Sequence, residues 1–316
     1  VKSLLDQGLA FTKRIRFIFG TDEETLWRCM NRYNQIEEKA DLGFAPDSSF
    51  PLTYAEKGLL QVKLHGPGWE DRPLQAGRAL NVVPDKATYK GERLEELLPV
   101  IEQSGVNYTE ETGAVTVLGL SKHSKDAAEG VNAIVGLAES LSLIQPHPAL
   151  LFIADAVGED ATGAALFGEI KDEPSGALSF NIATLSIDEE QSEIGIDIRI
   201  PVLADKGALV ERLTEVAASY QLQYEEFDYV APLYVPLDSP LVSTLMEVYQ
   251  EETGDQTPAM SSGGATFART MENCVAYGAL FPDALQTEHQ ANERAKLDDL
   301  YLSLIHISEP TRLLSI

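Results

Sequence analysis

Residues 15–25 read IRFIFGTDEET, and this stretch decides the fold class. Its first half, residues 15–19, is apolar and aromatic apart from Arg16 and ends at Gly20, which predicts a β-strand buried on both faces. Three acids follow directly, among them the pair Glu23 and Glu24. Open α/β sheets place their ligand crevice outside the carboxyl ends of the strands. The stretch therefore predicts an α/β sheet with carboxylates where chemistry is expected.

The Glu23-Glu24 pair has two interpretations. Adjacent carboxylates repel unless a cation or a shared proton relieves them, so the pair fits one metal ligand beside one general base. Alternatively, Thr21 and Glu24 have the spacing of a capping box for the helix that follows.

Composition excludes several classes of partner. The chain has 316 residues, 44% of them hydrophobic, and a formal net charge of −26. Such acidity argues against nucleic acid or an anionic membrane surface as partner, and no apolar run approaches the roughly 18 residues of a membrane span. Cys29 and Cys274 are too few for a disulfide framework, so we expect a cytoplasmic protein.

The hydrophobic pattern divides the chain into outer and inner segments. Segments 1–56 and 232–302 have the composition of one α/β domain. Residues 57–231 between them contain two β-α-β sets, which predicts an inserted α+β domain of two lobes. The last segment, 303–316, abandons the preceding pattern, and we expect it to be a non-native tail. Because Val1 is not an initiator residue, we also expect the chain to be a fragment.

Metal-ligating residue types recur after predicted strands. His289 follows the apolar run at 275–281, in the same topological position as the Glu23-Glu24 pair, and Asp47 lies in a Pro/Asp/Ser loop. Taken with Glu24, this oxygen and imidazole set suits zinc, manganese or cobalt. As a lone residue, His289 could equally be an ordinary loop histidine. His147, flanked by two prolines, is expected in an exposed turn without a role.

Two further features suggest ligand contacts. Arg199 shares the polar face of a predicted strand with Asp197, opposite a row of isoleucines, where a guanidinium could grip a carboxylate bidentately. A surface salt bridge is the alternative interpretation. Gly263 and Gly264 would let backbone amides approach a ligand closely, although turn geometry explains them nearly as well.

Seven separate runs together resemble the bacterial peptidase V branch of the dinuclear zinc dipeptidases, in the superfamily of carnosinases, acetylornithine deacetylases and carboxypeptidase G. The runs, in chain order, are RIRFIFGTDEET (14–25), DLGFAPDSSFPLTYAEKG (41–58), LNVVPDKA (80–87), GLSKHSKDAAEGVNA (119–133), GIDIRIPV (195–202), SSGGATFAR (261–269) and VAYGALFPDALQTEHQANERAKLDDL (275–300). The resemblance implies a zinc-exopeptidase-type α/β catalytic domain interrupted by a two-lobed α+β lid domain. It also implies a monomer, because the enlarged lid replaces a dimer partner.

For the catalytic domain, the resemblance implies that Glu23 is the general base of a two-zinc hydrolase. Glu24 and His289 match ligands of one zinc ion, and Asp47 matches a ligand of the other. Gly264 lies in the run SSGGATFAR, and we expect its backbone to contact the substrate.

For the lid, the resemblance implies three substrate contacts. His123 matches a histidine that stabilises the tetrahedral oxyanion, although Lys122 and Ala127 differ from the residues usual in that motif. Asn81 matches a substrate- or oxyanion-binding asparagine, and Arg199 matches the arginine that binds the C-terminal carboxylate of a small peptide.

One departure leads to a further expectation. The family uses a His-x-Asp motif and a metal-bridging aspartate, both upstream of the position of Val1, and none of the five histidines here has an acid two positions later. We therefore expect this chain to bind metal weakly and to be inactive, although its parent would be a dipeptidase. The alternatives are an N-acyl amino acid deacylase of the same superfamily and a non-catalytic binding module that keeps the fold.

Overall fold

The computed structural model describes residues 6, 8, 11, 13–23, 27–285, 287, 292 and 294–301. The described chain forms two compact units, one from residues 1–56 and 233–316 and the other from residues 57–232. The segment 303–316, expected to be a non-native tail, lies outside the described residues. No helix in the described part is long and apolar enough to cross a membrane.

The strands of the described residues, in chain order, are β1 (Gly43–Ala45), β2 (Ser48–Ser49), β3 (Thr53–Glu56), β4 (Gly58–Pro67), β5 (Leu74–Ala76), β6 (Lys86–Tyr89), β7 (Tyr108–Glu111), β8 (Ala114–Leu118), β9 (Lys171–Asp172), β10 (Gly176–Ala177), β11 (Ser179–Ile187), β12 (Gln191–Ile200), β13 (Gln223–Val230), β14 (Leu233–Tyr234), β15 (Met260–Ser262), β16 (Cys274–Ala276) and β17 (Ala279–Leu280).

The α-helices include α1 (Arg28–Ile36), α2 (Leu94–Ser104), α3 (Ala133–Ser142), α4 (Pro148–Leu151), α5 (Ala164–Phe167), α6 (Lys206–Ser219) and α7 (Pro240–Thr253). The described residues also form two 3₁₀ helices (Ser124–Glu129 and Phe267–Thr270) and one π-helix (Phe152–Val157). A short helical segment also lies at 297–301.

The first unit is built on a mixed sheet. Strand β16 pairs parallel with β1 and antiparallel with β3, while β14 and β15 also bond to β3. The short strands β2 and β17 pair in parallel. Phe50 packs against the rings of Tyr249, Tyr277 and Phe281, which gives this unit an aromatic core.

The second unit contains a five-stranded antiparallel sheet in the order β13-β4-β12-β11-β5 and a three-stranded sheet in the order β6-β8-β7. Isoleucines alternate along β12 and enter a buried core with α2 and α3; the central residues are Ile194, Ile196, Ile198, Leu97, Ile134 and Leu137. Helix α6 begins at the Asp205 cap, whose carboxylate accepts the backbone N–H groups of Gly207 and Ala208.

The predicted buried strand at 15–19 is wrong. Residues 14–20 form neither strand nor helix, no described strand pairs with them, and Phe17 and Phe19 are 61% and 89% exposed. Instead, the Arg16 guanidinium donates hydrogen bonds to the Tyr33 hydroxyl and to the Glu38 carbonyl, 2.7 Å away. An apolar run becomes a buried strand only where neighbouring backbone supplies hydrogen-bond partners, and this segment has side-chain contacts to the region of α1.

Candidate functional site

The acidic turn at residues 21–23 leads into helix α1. The Asp22 carboxylate accepts the backbone N–H groups of Arg28 at 2.9 Å and Cys29 at 3.1 Å, and thus caps the helix. Hydrogen bonds from Cys29 and then Arg28 hold the pKa of Asp22 below its usual value. The Glu23 side chain is half-buried, and its carbonyl accepts a hydrogen bond from the Trp27 indole. Glu24 lies outside the described residues, and with it the predicted capping box.

Asp47 is an exposed residue between β1 and β2. Parallel strands place their carboxyl ends at the same edge of a sheet, so the loops after β1 and β16 run side by side. Two hydrogen bonds join these loops, from the Tyr277 N–H to the Ala45 carbonyl at 2.9 Å and from the Ser48 N–H to the Gly278 carbonyl at 2.6 Å. His289 lies outside the described residues.

Gly278 is required at this edge for a steric reason. Its φ of +72° lies in the left-handed region, and an added Cβ would come within 2.4 Å of the Phe50 ring. A side chain here would displace either the ring or the loop that holds Ser48. The position of Asp47 therefore depends on a glycine far along the chain.

Gly264 lies in the turn after β15. Its N–H donates to the Ser262 hydroxyl at 2.9 Å, and its carbonyl accepts a hydrogen bond of 2.7 Å from the Arg269 guanidinium. Arg269 is buried and also donates from Nε to Glu56 at 2.9 Å. Burial raises the pKa of Glu56, and Arg269 and Thr266 oppose that effect. The buried ion pair thus fixes the turn that contains Gly264.

Glu56 and Arg269 lie within two of the sequence motifs, but the sequence alone assigned neither a role. The available signal was a charged residue at the end of each of two otherwise small or apolar runs, YAE at 54–56 and FAR at 267–269. Charged residues are almost never fully buried unless paired. Once both residues are known to be buried, each is therefore expected to be the partner of the other.

Arg199 and Asp197 form a buried ion pair on β12. The guanidinium grips the carboxylate bidentately, with Nε 2.7 Å from Oδ1 and Nη2 3.1 Å from Oδ2, and Gln61 donates to Oδ2 at 3.0 Å. The strand alternation predicted that the two residues share a face, and the structure agrees. The alternative of a surface salt bridge is wrong, because both side chains are buried.

His123 immediately precedes the 3₁₀ helix Ser124–Glu129. Its Nδ1 accepts the Lys125 N–H at 3.1 Å, so the neutral ring carries its proton on Nε2. Burial, together with the positive charges of Arg199 and Lys125, lowers the pKa of the imidazole. The neutral ring therefore predominates at neutral pH, with Nε2–H as a hydrogen-bond donor.

Asn81, His123 and Arg199 are brought into one neighbourhood of the second unit. Asn81 is exposed, and its carbonyl accepts the Ser124 N–H at 2.9 Å. The Ser179 hydroxyl donates to the Ser124 carbonyl, and Ser179 pairs with Arg199 across β11 and β12.

The predicted metal ligands are not brought together within the described residues. Glu24 and His289 lie outside the described part, and within it no group of three or more His, Cys, Asp or Glu side chains could hold a metal ion. The described residues do not by themselves fit a metal centre.

The prediction of an exposed turn at His147 is wrong, because this residue is the N-cap of helix α4 and is buried. His147 is buried, its Nδ1 accepts the Ala149 N–H at 3.2 Å, and its Nε2 donates to the Pro67 carbonyl at 3.1 Å. Burial lowers the pKa of this histidine. It is a structural residue of the second unit, with no exposed turn around it.

Comparison with known proteins finds relatives that carry the same name. The Bacillus subtilis protein named "Putative dipeptidase YtjP" is 35% identical over 327 aligned residues, covering 96% of this chain and 70% of that protein. A Staphylococcus haemolyticus protein, also named "Putative dipeptidase", is 30% identical, with 93% of this chain and 68% of that protein covered.

Solved structures support the same fold at lower identity. An aminopeptidase PepT from Bacillus cereus matches with a TM-score of 0.53 at 12% identity, covering all of this chain and 68% of that one. A tripeptidase from Staphylococcus aureus matches with a TM-score of 0.52 at 14% identity, covering 99% of this chain and 67% of that one. The predicted α/β fold with an inserted α+β domain is therefore confirmed at the level of fold class.

The seven sequence motifs are distributed along almost the whole chain, and the region that matches a family model has a similar extent. Residues 1–307 match the family described as peptidase family M20/M25/M40. Members of this metallopeptidase family typically use a divalent metal. The chain belongs to peptidase family M20/M25/M40.

Proposed function

We propose that the protein hydrolyses dipeptides. The observation that carries the proposal is the family match over residues 1–307 together with 35% identity to a relative named as a dipeptidase. Nothing in the comparisons supports the expectation that this chain is inactive. The substrate is a small peptide with a free carboxylate, which suits the buried guanidinium of Arg199 as its anchor.

The chain's own residues supply three functions in this proposal. Glu23 accepts a proton from the attacking water and returns it to the leaving amine. His123 donates from Nε2–H to the oxyanion that forms on the scissile carbonyl, a role that suits its neutral, partly desolvated ring. Arg199 binds the carboxylate of the substrate, and Asp197 orients its guanidinium. Asn81 and Gly264 contribute further polar contacts to the substrate.

The metal in this proposal is zinc, as two ions, with manganese or cobalt as the alternatives. Glu24, Asp47 and His289 would hold it together with further ligands, and such ions, when bound, acidify water and polarise carbonyl groups. Oxygen and imidazole donors without thiolate are consistent with this choice.

We further propose a monomer in the cytoplasm that binds neither nucleic acid nor membranes. The net charge of −26 and the two free cysteines support this assignment. Light scattering on the purified protein would measure the oligomeric state directly.

A panel of dipeptides, acetyl-amino acids and succinyl-amino acids tests the activity, with zinc, manganese or cobalt supplied in turn. We expect dipeptide hydrolysis, and we expect Glu23→Gln to lower kcat by about 10²–10⁴-fold. Glu37→Gln, an exposed acid just after α1, is the matched control and should leave kcat unchanged. Hydrolysis of the acylated amino acids alone would identify a deacylase, and turnover of neither class would favour a non-catalytic binding module.

A further inference from the structure

A small antiparallel ribbon in the second unit places an aliphatic side chain beside His123. The ribbon consists of residues 80–85, 119–124 and 130–133. Its first two segments are joined by hydrogen bonds from the Ser124 N–H to the Asn81 carbonyl at 2.9 Å and from the Val83 N–H to the Lys122 carbonyl at 2.8 Å.

These two hydrogen bonds flank Val82 and His123, which face each other as an antiparallel bridge. A pair flanked in this way is a non-hydrogen-bonded pair, in which the Cα atoms approach to about 4.5 Å and the side chains project from the same face. The Val82 side chain therefore lies next to the imidazole of His123. The backbone register alone fixes this proximity.

Val82 does not belong to the core of the unit. Val83 is buried, whereas Val82 is 36% exposed, as the alternation of side chains along an extended segment requires. Leu120 and Val131 form a second bridge in the same ribbon and are 51% and 55% exposed. That bridge is a hydrogen-bonded pair, joined by bonds of 2.9 and 3.0 Å, and it lies three residues along the chain from His123. An exposed valine alone needs no explanation, but its register beside His123 makes it a candidate substrate contact.

We infer that Val82 selects the side chain of the N-terminal residue of the dipeptide substrate. The inference rests on the proposed function, in which His123 contacts the oxyanion of the scissile carbonyl. The α-carbon of the N-terminal residue is bonded directly to that carbonyl carbon, whereas the α-carbon of the C-terminal residue lies beyond the amide nitrogen. A side chain on the N-terminal residue thus projects close to His123 and meets the methyl groups of Val82. The chemistry favours an aliphatic N-terminal residue over glycine.

The test compares Leu-Gly with Gly-Gly as substrates. In Val82→Thr, which keeps the shape but adds a hydroxyl, the ratio of kcat/KM for Leu-Gly to that for Gly-Gly should fall about tenfold, with Gly-Gly hydrolysis little changed. Val82→Ala should lower the same ratio. Val131→Thr is the matched control, since it makes the same exchange in the same ribbon, and its ratio should equal that of the wild type. A wild-type ratio in Val82→Thr, or an equal fall in the control, would overturn the inference while leaving the proposed function intact.

Calorimetric binding of the same two dipeptides separates this inference from the proposed function. If the wild type hydrolyses neither peptide with any of the three metals, the proposed function fails. Val82 still selects the ligand if the wild type binds Leu-Gly more tightly than Gly-Gly and Val82→Thr binds both alike. Equal binding of the two peptides by the wild type, or binding of neither, would refute the role of Val82.

Discussion

Removal of Arg269 is expected to destabilise the first unit strongly. The Arg269 and Glu56 side chains are each 1% exposed, and their ion pair is 2.9 Å long. In Arg269→Met, the Glu56 carboxylate keeps the hydrogen bonds from the Thr266 N–H at 3.1 Å and the Thr266 hydroxyl at 2.8 Å but loses its cation. Breaking one side of a buried ion pair typically costs about 3–5 kcal/mol, because the remaining charge is buried without compensation. The free energy of unfolding should fall by an amount in that range.

Urea denaturation at pH 7.5, followed by circular dichroism, measures the change. Lys39→Met is the matched control, because Lys39 and Glu272 form an ion pair 2.7 Å long in the same unit that is almost fully exposed. Exposed pairs of this kind contribute little, so the control should unfold at nearly the wild-type urea concentration. The double variant Glu56→Gln/Arg269→Met should be less destabilised than Arg269→Met alone, since it carries no buried charge.

The stability lost in Arg269→Met should also depend on pH. Without the guanidinium, burial acts unopposed by that cation, and the pKa of Glu56 rises further above its unfolded value. Between those two pKa values the folded state binds more protons than the unfolded state, so stability increases as the pH falls. Part of the destabilisation seen at pH 7.5 should therefore disappear at pH 5. The assignment of a charged buried pair would be refuted if Arg269→Met lowered the free energy of unfolding by less than about 1 kcal/mol. It would also be refuted if the double variant lost as much stability as the two single variants together.

Four further outcomes are expected. His147 has a pKa below its unfolded value, so the unfolded state takes up the proton first and stability declines as the pH falls below about 6.5; in His147→Gln, thermal unfolding at pH 7.5 and pH 5 should show a smaller decline than in the wild type. Leu60→Ala removes a fully buried side chain from the central sheet and should cost about 2–5 kcal/mol in urea denaturation. Asn132→Ala deletes the carboxamide that caps α3 and should cost about 0.5–2 kcal/mol in the same assay; an unchanged midpoint would show that the cap is dispensable. Arg199→Lys keeps the charge but loses the bidentate grip on the carboxylate, so KM for dipeptides should rise more than kcat falls, and a change in kcat alone would contradict its role as a substrate anchor.

Much of the second unit could be predicted from periodicity. The alternating isoleucines of β12 and the helical stripe of α6 are local patterns whose burial follows from their own spacing. The shared face of Asp197 and Arg199 followed from the same alternation. The alternation could not predict whether that face of β12 is buried. Segments that are distant in sequence, such as the one containing Ser124, cover it.

Prediction from sequence fails where long-range contacts override the local pattern. The run at 15–19 has the composition of a buried strand, but a strand also needs neighbouring backbone to bond with, and that is not encoded in the run itself. The prolines beside His147 indicate a break in regular structure, which is the start of helix α4, but they do not indicate that His147 is buried. Glu56 and Arg269 lie 213 positions apart, so neither could be identified as a partner from its own neighbourhood.

The pairing of β3 has a consequence for biosynthesis. All the described strands that bond to β3 come after residue 232, and the Thr266 hydroxyl that reaches Glu56 is 210 positions away. On a translating ribosome, residues 43–56 must wait unpaired while the entire inserted unit emerges. Since domains generally fold as units during synthesis, the inserted unit can assemble first, and the nascent sheet around β3 closes only when its last strands have been made.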